Sequence, residues 1–243
     1  MNEKLESFKK FIKDKKVAVL GIGISNTPLI KYLASLSVDI TAFDRSDEKK
    51  LASTLKEFED LDIKYSLGEN YLSALKNFDV IFKTPKIRFD IPELLAEKER
   101  GALITSEMEV FCDICPARIF AVTGSDGKTT TSTLINLILK EQGYKCWLGG
   151  NIGTPLLDRI DEINGNDMVV LELSSFQLHT MKNRIHTAVV TNLSPNHLDV
   201  HLSMEEYTDA KKNIFRYQHP EDLLVLNLEN EITRNFAGEA RGK

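Results

Sequence analysis

The run RIFAVTGSDGKTTTSTLINLILKEQG, residues 118–143, constrains the fold more than any other part of the chain. Its apolar start reads as a buried strand and its centre as a glycine-bearing loop. Thr129 then opens a helical segment that should end at Gly143. A strand passing through such a loop into a helix is the first half of a βαβ unit, and repeated βαβ units make a parallel sheet. The loop is also misspelt for a phosphate loop. The usual pattern is G-x-x-x-x-G-K-[ST], yet Val122 stands six positions before Lys128, where glycine is wanted.

The chemistry of the loop survives that change. Backbone N–H groups around Gly124, Ser125, Asp126, Gly127 and Thr130, at the start of a helix, point at an anion, and the Lys128 ammonium neutralises phosphate charge. Thr129 is placed to offer its hydroxyl to Mg²⁺. A glycine turn with a capping threonine is the plainer alternative. Glu172 ends the apolar strand MVVLEL, where a buried carboxylate needs a partner such as a magnesium ion; a solvent-facing strand end is the alternative. The segment VVTNLSPNHLDVH leaves another strand and delivers His197, Asp199 and His201 to one loop. H-x-D-x-H alone says little, but the end of a parallel strand, on the same sheet edge as the loop and Glu172, is where ligands gather.

The first part of the chain repeats the architecture. Val17 to Leu20 reads as a buried strand, Gly21 and Gly23 turn the chain, Pro28 suits a helix's first turn, and DITAFD is a second strand. Asn26 occupies the third place of G-x-G-x-x-G and would loosen helix–strand packing there, while Asp44 closes the next strand where a dinucleotide fold hooks a ribose hydroxyl. An NAD site and a ligand-free turn both remain open from these residues. Apolar segments at FDVIFKTP and ALIT, with a Pro92-opened helix between them, extend the βαβ rhythm. The fold class is therefore α/β. A Rossmann-like N-terminal parallel-sheet domain, residues 1–106, precedes a P-loop-type α/β ATPase domain, residues 107–243, with the junction near Ser106. The second domain is expected to be incomplete, because little follows the strand at 223–228.

Composition narrows the partners. The 243 residues carry a net charge of -5, which argues against a nucleic-acid binder. Three cysteines leave Cys112 and Cys115 as incidental thiols in a reducing compartment. The charged N-terminus lacks the apolar stretch of a signal peptide, and no run is long enough for a membrane helix. A cytoplasmic protein with no membrane partner is expected.

Taken together, GSDGKTT, LELSSFQL, NLSPNHLD and YTDAKKNIF resemble the Mur ligases of bacterial cell-wall synthesis, which make an amide bond using ATP. Their shorter phosphate loop, G-T-x-G-K-[ST]-[ST], accommodates Val122. With SEMEVF and GGNIGTPLL, the chain is most similar to members that join D-glutamate to UDP-N-acetylmuramoyl-L-alanine. The resemblance implies that Lys128 and neighbouring backbone groups bind ATP, that Thr129 and Glu172 hold one Mg²⁺, and that Glu172 and His197 hold another. Lys211 matches a lysine carried as a carbamate, whose anionic oxygens can ligate a cation as an ammonium cannot; Lys212 has no such role. Lys128, Glu172, His197 and Lys211 are thus the implied catalytic set. Gly23, Ile24, Ser25, Asp44 and Arg45 fall where the family holds the uridine diphosphate portion of its substrate, and Asn151 and Ser174 on the muramoyl side.

Thr84, Pro85 and Lys86 replace the family's S-P-G turn. The sequence is expected to end before the third domain that the resemblance implies, and the chain alone to be inactive as a ligase; a monomer is expected. A nicotinamide oxidoreductase, a non-catalytic nucleotide switch and folylpolyglutamate synthetase are the rival readings.

Overall fold

A computed structural model describes residues 2–195 and 201–243. The chain forms two compact units, Met1–Ile114 with Leu157–Arg159, and Cys115–Leu156 with Ile160–Lys243. In the first unit the elements run α1 (Glu3–Lys13), β1 (Lys16–Leu20), α2 (Asn26–Ser35), β2 (Asp39–Asp44), α3 (Glu48–Lys56), β3 (Ile63–Leu67), β4 (Val80–Lys83), α4 (Pro92–Glu99), β5 (Leu103–Thr105) and α5 (Glu107–Ile114). The first compact unit takes in α5, which packs on α1, whose capping Asn2 also donates to the Ile114 carbonyl at 2.7 Å.

The first sheet is wholly parallel, in the order β3-β2-β1-β4-β5. Val17 to Leu20 are fully buried, as a central parallel strand covered on both faces requires. Strand β3 was not among the strands read from the sequence: as an edge strand it exposes Lys64 and Tyr65, which breaks the apolar run. Chain order reverses between β1 and β4, so the loops leaving these neighbouring strands form a switch point, the usual ligand crevice of such sheets.

Asn26 does not loosen the first βα turn. Its side chain, 3 % exposed, donates to the Leu20 carbonyl at 3.1 Å and to the Gly21 carbonyl at 2.8 Å. The amide thus ties α2 to the end of β1 where a glycine would only permit close approach.

The second unit runs β6 (Arg118–Thr123), α6 (Lys128–Glu141), β7 (Cys146–Gly150), β8 (Met168–Glu172), α7 (Ser175–Leu178), β9 (Thr187–Val190), α8 (Met204–Arg216), β10 (Leu223–Leu226) and α9 (Glu231–Asn235). Its sheet is also parallel, ordered β10-β9-β6-β8-β7, with β6 in the centre. Helix α6 differs from a simple amphipathic reading: small Ser132 and Asn136 are its buried residues, while Leu134, Leu137 and Ile138 are at least half exposed. Strand β10 gains backbone bonds from Lys243, which donates to the Asp222 carbonyl and accepts from Leu224 N–H. Among the described residues no helix is long and apolar enough to cross a membrane.

Asn26→Ala should lower stability by roughly 1–3 kcal/mol, because it strips two bonds at a buried turn. Urea unfolding followed by circular dichroism measures this, and a loss under about 0.5 kcal/mol would contradict the tie.

Candidate functional site

The centre of the second sheet positions the phosphate-type loop. Strand β6 ends at Thr123, and the chain turns through Gly124 to Gly127 before α6 begins at Lys128. Gly124 has φ 153°, and a Cβ there would lie 1.9 Å from Thr191 Oγ1, so the loop end of β9 excludes any side chain. Gly127 is left-handed at φ 77° and occupies the N-cap without a capping side chain. With no acidic residue in the first turn, the N–H groups of Gly127, Lys128, Thr129 and Thr130 have no acceptor among the described residues. That is the polarity an anion wants.

Residues after β9, not singled out in the sequence, set the loop's shape. Asn192 accepts from Ser125 N–H through its carbonyl at 2.9 Å and from Asp126 N–H through its side chain at 2.9 Å. Thr191 Oγ1 donates to the Asp126 carbonyl at 2.6 Å. Ser125 faces inward: Oγ donates to the Ser194 carbonyl at 3.0 Å, accepts from Ser194 N–H at 2.9 Å, and meets the Tyr207 hydroxyl at 3.0 Å. Its side chain and N–H are therefore committed to the protein, and the N–H groups without acceptors begin at Gly127. The Thr-Asn pair following an apolar strand on the loop's sheet edge was the available signal.

Thr129 and Glu172, both expected at a Mg²⁺ site, lie against each other, and Asn151, expected on the muramoyl side, joins them. Thr129 Oγ1 donates to Glu172 Oε2 at 2.7 Å, and Asn151 Nδ2 donates to the other carboxylate oxygen at 2.9 Å. Asn151 is held there by its own N–H, which donates to the Glu172 carbonyl at 2.7 Å. Glu172 is 2 % exposed, and both its oxygens meet neutral donors. Lys128 Nζ donates to the Ser125 carbonyl at 2.9 Å.

Lys211 comes to the same place from α8. It is 2 % exposed, donates to Thr123 Oγ1 at 3.1 Å and to the Gly124 carbonyl at 3.0 Å, and lies 4.9 Å from the Tyr207 ring centroid. Burial first, and then the Lys128 charge, pull its pKa down to about 7, with Glu172 opposing both. Lys212, its neighbour, instead pairs with Glu239. His197 and Asp199 lie outside the described residues, while His201 is buried. Ser174 is engaged in capping α7, exchanging hydrogen bonds with Gln177.

The first unit carries its own cluster at the β1–β4 switch point. Asp44 accepts from Ile22 N–H and Ser46 N–H, both at 2.7 Å, one on each oxygen, and so braces the glycine loop. The N–H groups of Gly23, Ile24 and Ser25 have no acceptor among the described residues. Ile24 is 86 % exposed at the loop tip, and Arg45 is exposed beside Asp44. Thr84 N–H donates to the Leu20 carbonyl at 3.0 Å, which brings the Thr84–Lys86 turn alongside.

A Rossmann-like unit followed by a P-loop-type unit, with a buried acid and a buried lysine at the second loop, defines a two-unit α/β protein built around anion-accepting turns. The chain belongs to the Mur ligase family: the model of the Mur ligase middle domain matches residues 122–243, and that of the MurD-like N-terminal domain of Mur ligases matches residues 15–106. It is 71 % identical over 242 residues to a UDP-N-acetylmuramoylalanine--D-glutamate ligase of Acetivibrio thermocellus, and 62 % identical over 243 residues to the ligase of that name from Ruminiclostridium cellulolyticum. Each comparison takes in all of this chain and 52 % of the relative, so the chain spans about half the length of the curated relatives it matches. Among solved structures, UDP-N-acetylmuramate-alanine ligase MurC of Thermotoga maritima aligns over 91 % of this chain and 51 % of its own, with TM-score 0.53 and 25 % identity. UDP-N-acetylmuramate:L-alanyl-gamma-D-glutamyl-meso-diaminopimelate ligase from Neisseria meningitides aligns over 94 % of this chain and 76 % of its own, at TM-score 0.61 and 18 % identity, which speaks to the fold.

The depressed Lys211 pKa makes stability depend on pH. Between about 7 and the ordinary 10.5 the folded chain binds fewer protons at this amine than the unfolded chain, so stability rises with pH through that window and is lost as pH falls through about 7. Unfolding free energies of wild type and Lys211→Met, in carbon-dioxide-free buffer, should diverge in favour of wild type as pH rises across the window. Parallel curves would contradict the assignment.

Proposed function

We propose that the protein carrying this sequence joins D-glutamate to UDP-N-acetylmuramoyl-L-alanine with hydrolysis of ATP, in peptidoglycan synthesis. The observation that carries this reading is the meeting of Thr129, Glu172 and Lys211 at the glycine loop, in a chain 71 % identical to a ligase of that name. A monomer in the cytoplasm belongs to the same reading.

The second unit would bind ATP. The N–H groups at the start of α6 and the Lys128 ammonium receive its phosphates, and Gly124 keeps the turn narrow. The buried Glu172 carboxylate, whose oxygens meet neutral donors, fits a divalent cation. Thr129, Glu172, His197 and a carbamylated Lys211 would hold Mg²⁺, which when bound neutralises charge on the phosphates. A pKa of about 7 leaves a large neutral fraction of the Lys211 amine at neutral pH, and the neutral amine is the form that captures carbon dioxide.

In the first unit, the Gly23–Ser25 amides and Arg45 would receive the uridine diphosphate portion, with Asp44 holding the loop in shape. Asn151 and Ser174 would face the muramoyl side. The L-alanine carboxylate attacks the γ-phosphorus of ATP, giving an acyl phosphate and ADP. The D-glutamate amine then adds to the acyl carbon, loses its proton and expels phosphate. Catalysis is chiefly positioning and charge stabilisation, with Lys128 serving the transferring phosphoryl group.

Two measurements test the reading. Titration of this chain with a UDP sugar and with NAD should show binding of the sugar nucleotide; NAD binding without it would favour an oxidoreductase. In a chain of the relatives' length, phosphate release should require both the muramoyl-alanine nucleotide and D-glutamate. Lys128→Ala should slow it by about 10²-fold or more. Release with a different amino acid but not with D-glutamate would overturn the assignment.

The carbamate is separately testable. ¹³C-bicarbonate should give a carbamate resonance in wild type that Lys211→Ala lacks, and no resonance in wild type would refute the modification.

A further inference from the structure

A second cluster of ligand-type side chains lies in the second unit, built from residues to which the proposed ligase chemistry gives no part. His179 follows α7, Glu206 is in the first turn of α8, and His201 is 2 % exposed between them. Their ligand atoms all lie within 4.8 Å of one another. We propose that His179, His201 and Glu206 bind a divalent transition-metal ion of the zinc type, leaving a fourth position for water.

The donor set selects the ion. Two imidazole nitrogens and one carboxylate suit zinc and its neighbours, whereas magnesium takes oxygen ligands almost exclusively. Ligand atoms on one tetrahedral zinc, each bonded at about 2.0–2.1 Å, stand about 3.3 Å apart. His179 Nε2 is 3.3 Å from Glu206 Oε1, and His201 Nδ1 is 3.7 Å from Glu206 Oε2. The two distances run to different carboxylate oxygens, and with the three ligand atoms within 4.8 Å of one another, rotation about the side-chain torsions brings them onto one ion.

The surroundings orient the ligands in advance. His201 Nε2 lies 2.9 Å from Ser175 Oγ, so a proton on Nε2 is donated to that hydroxyl and the Nδ1 lone pair is left facing Glu206. An outer partner of this kind fixes the tautomer in metal sites. Phe176 stacks on the His201 ring, with centroids 5.1 Å apart and planes within 2°, and Tyr207 meets it edge-on. The Glu206 backbone is fixed by the Ser203 cap, and its carboxylate accepts from Leu202 N–H. His179 is partly exposed and gives the ion a way in.

Such an ion would fasten α7 to the first turn of α8. That helix carries Tyr207, which meets Ser125, and Lys211, which reaches Thr123 and Gly124. By holding α7 against α8, the ion would help to set where α8 stands.

Calorimetric titration of the chain with Zn²⁺ in excess Mg²⁺ tests the proposal, with Co²⁺ visible absorption as a second readout. One equivalent should bind to wild type and to His197→Ala, raise the unfolding temperature, and be lost in His179→Ala. Ser175→Ala should weaken it by about tenfold or more. Glu206→Gln should also lose the ion, and if disturbance of the side chain's bond from Leu202 N–H prevents folding, the His179→Ala result decides. No bound equivalent in wild type, its retention in His179→Ala, or its loss in His197→Ala would overturn the site.

Discussion

Glu172 ends a central strand of a parallel sheet with its carboxylate out of water, and a buried charge is costly unless something nearby answers it. Much of the second unit is arranged around that requirement. Thr129 and Asn151 each donate to one oxygen, and each comes from a chain segment fixed by other backbone bonds. The Lys211 ammonium stands close enough for the carboxylate to raise its pKa against the pull of burial. An acid and a base are thereby held in tension beside a helix start rich in unanswered donors, and a negatively charged ligand with its cation would relieve both.

The two units apply the same logic to different ends. In each, a parallel strand enters a glycine turn and a helix starts with N–H groups directed outward, at the edge where neighbouring strands diverge in chain order. The bracing differs. In the first unit a carboxylate, Asp44, holds the turn by accepting two backbone N–H groups. In the second, neutral Asn192 and Thr191 do so, and the local charge is carried by Asp126, Lys128, Lys211 and Glu172.

Periodicity and glycine placement made the central strands and both turns legible, because buried parallel strands are continuous apolar runs. Edge strand β3 escaped, since one face of it is wet and its composition is mixed. The place of Glu172 at the buried end of a central strand was legible too, because it closes a continuous apolar run. What the sequence could not reveal was which groups serve the loop rather than a ligand. Ser125 lies inside the motif and yet turns inward, while Asn192 lies far along the chain and shapes the loop. Asn26 was misjudged because its side-chain amide can bond two carbonyls, an option glycine lacks.

The glycine loop is held by partners distant in sequence: Thr191 is 65 residues from Asp126, Tyr207 is 82 from Ser125, and Lys211 is 87 from Gly124. Contacts of such span are slow to form, because the intervening chain must close a long loop first. During synthesis the first unit can fold while the second is still being made. The glycine turn emerges early but acquires its working shape only after α8 has left the ribosome, so a nascent chain stalled between β9 and α8 would hold a sheet with an unformed mouth.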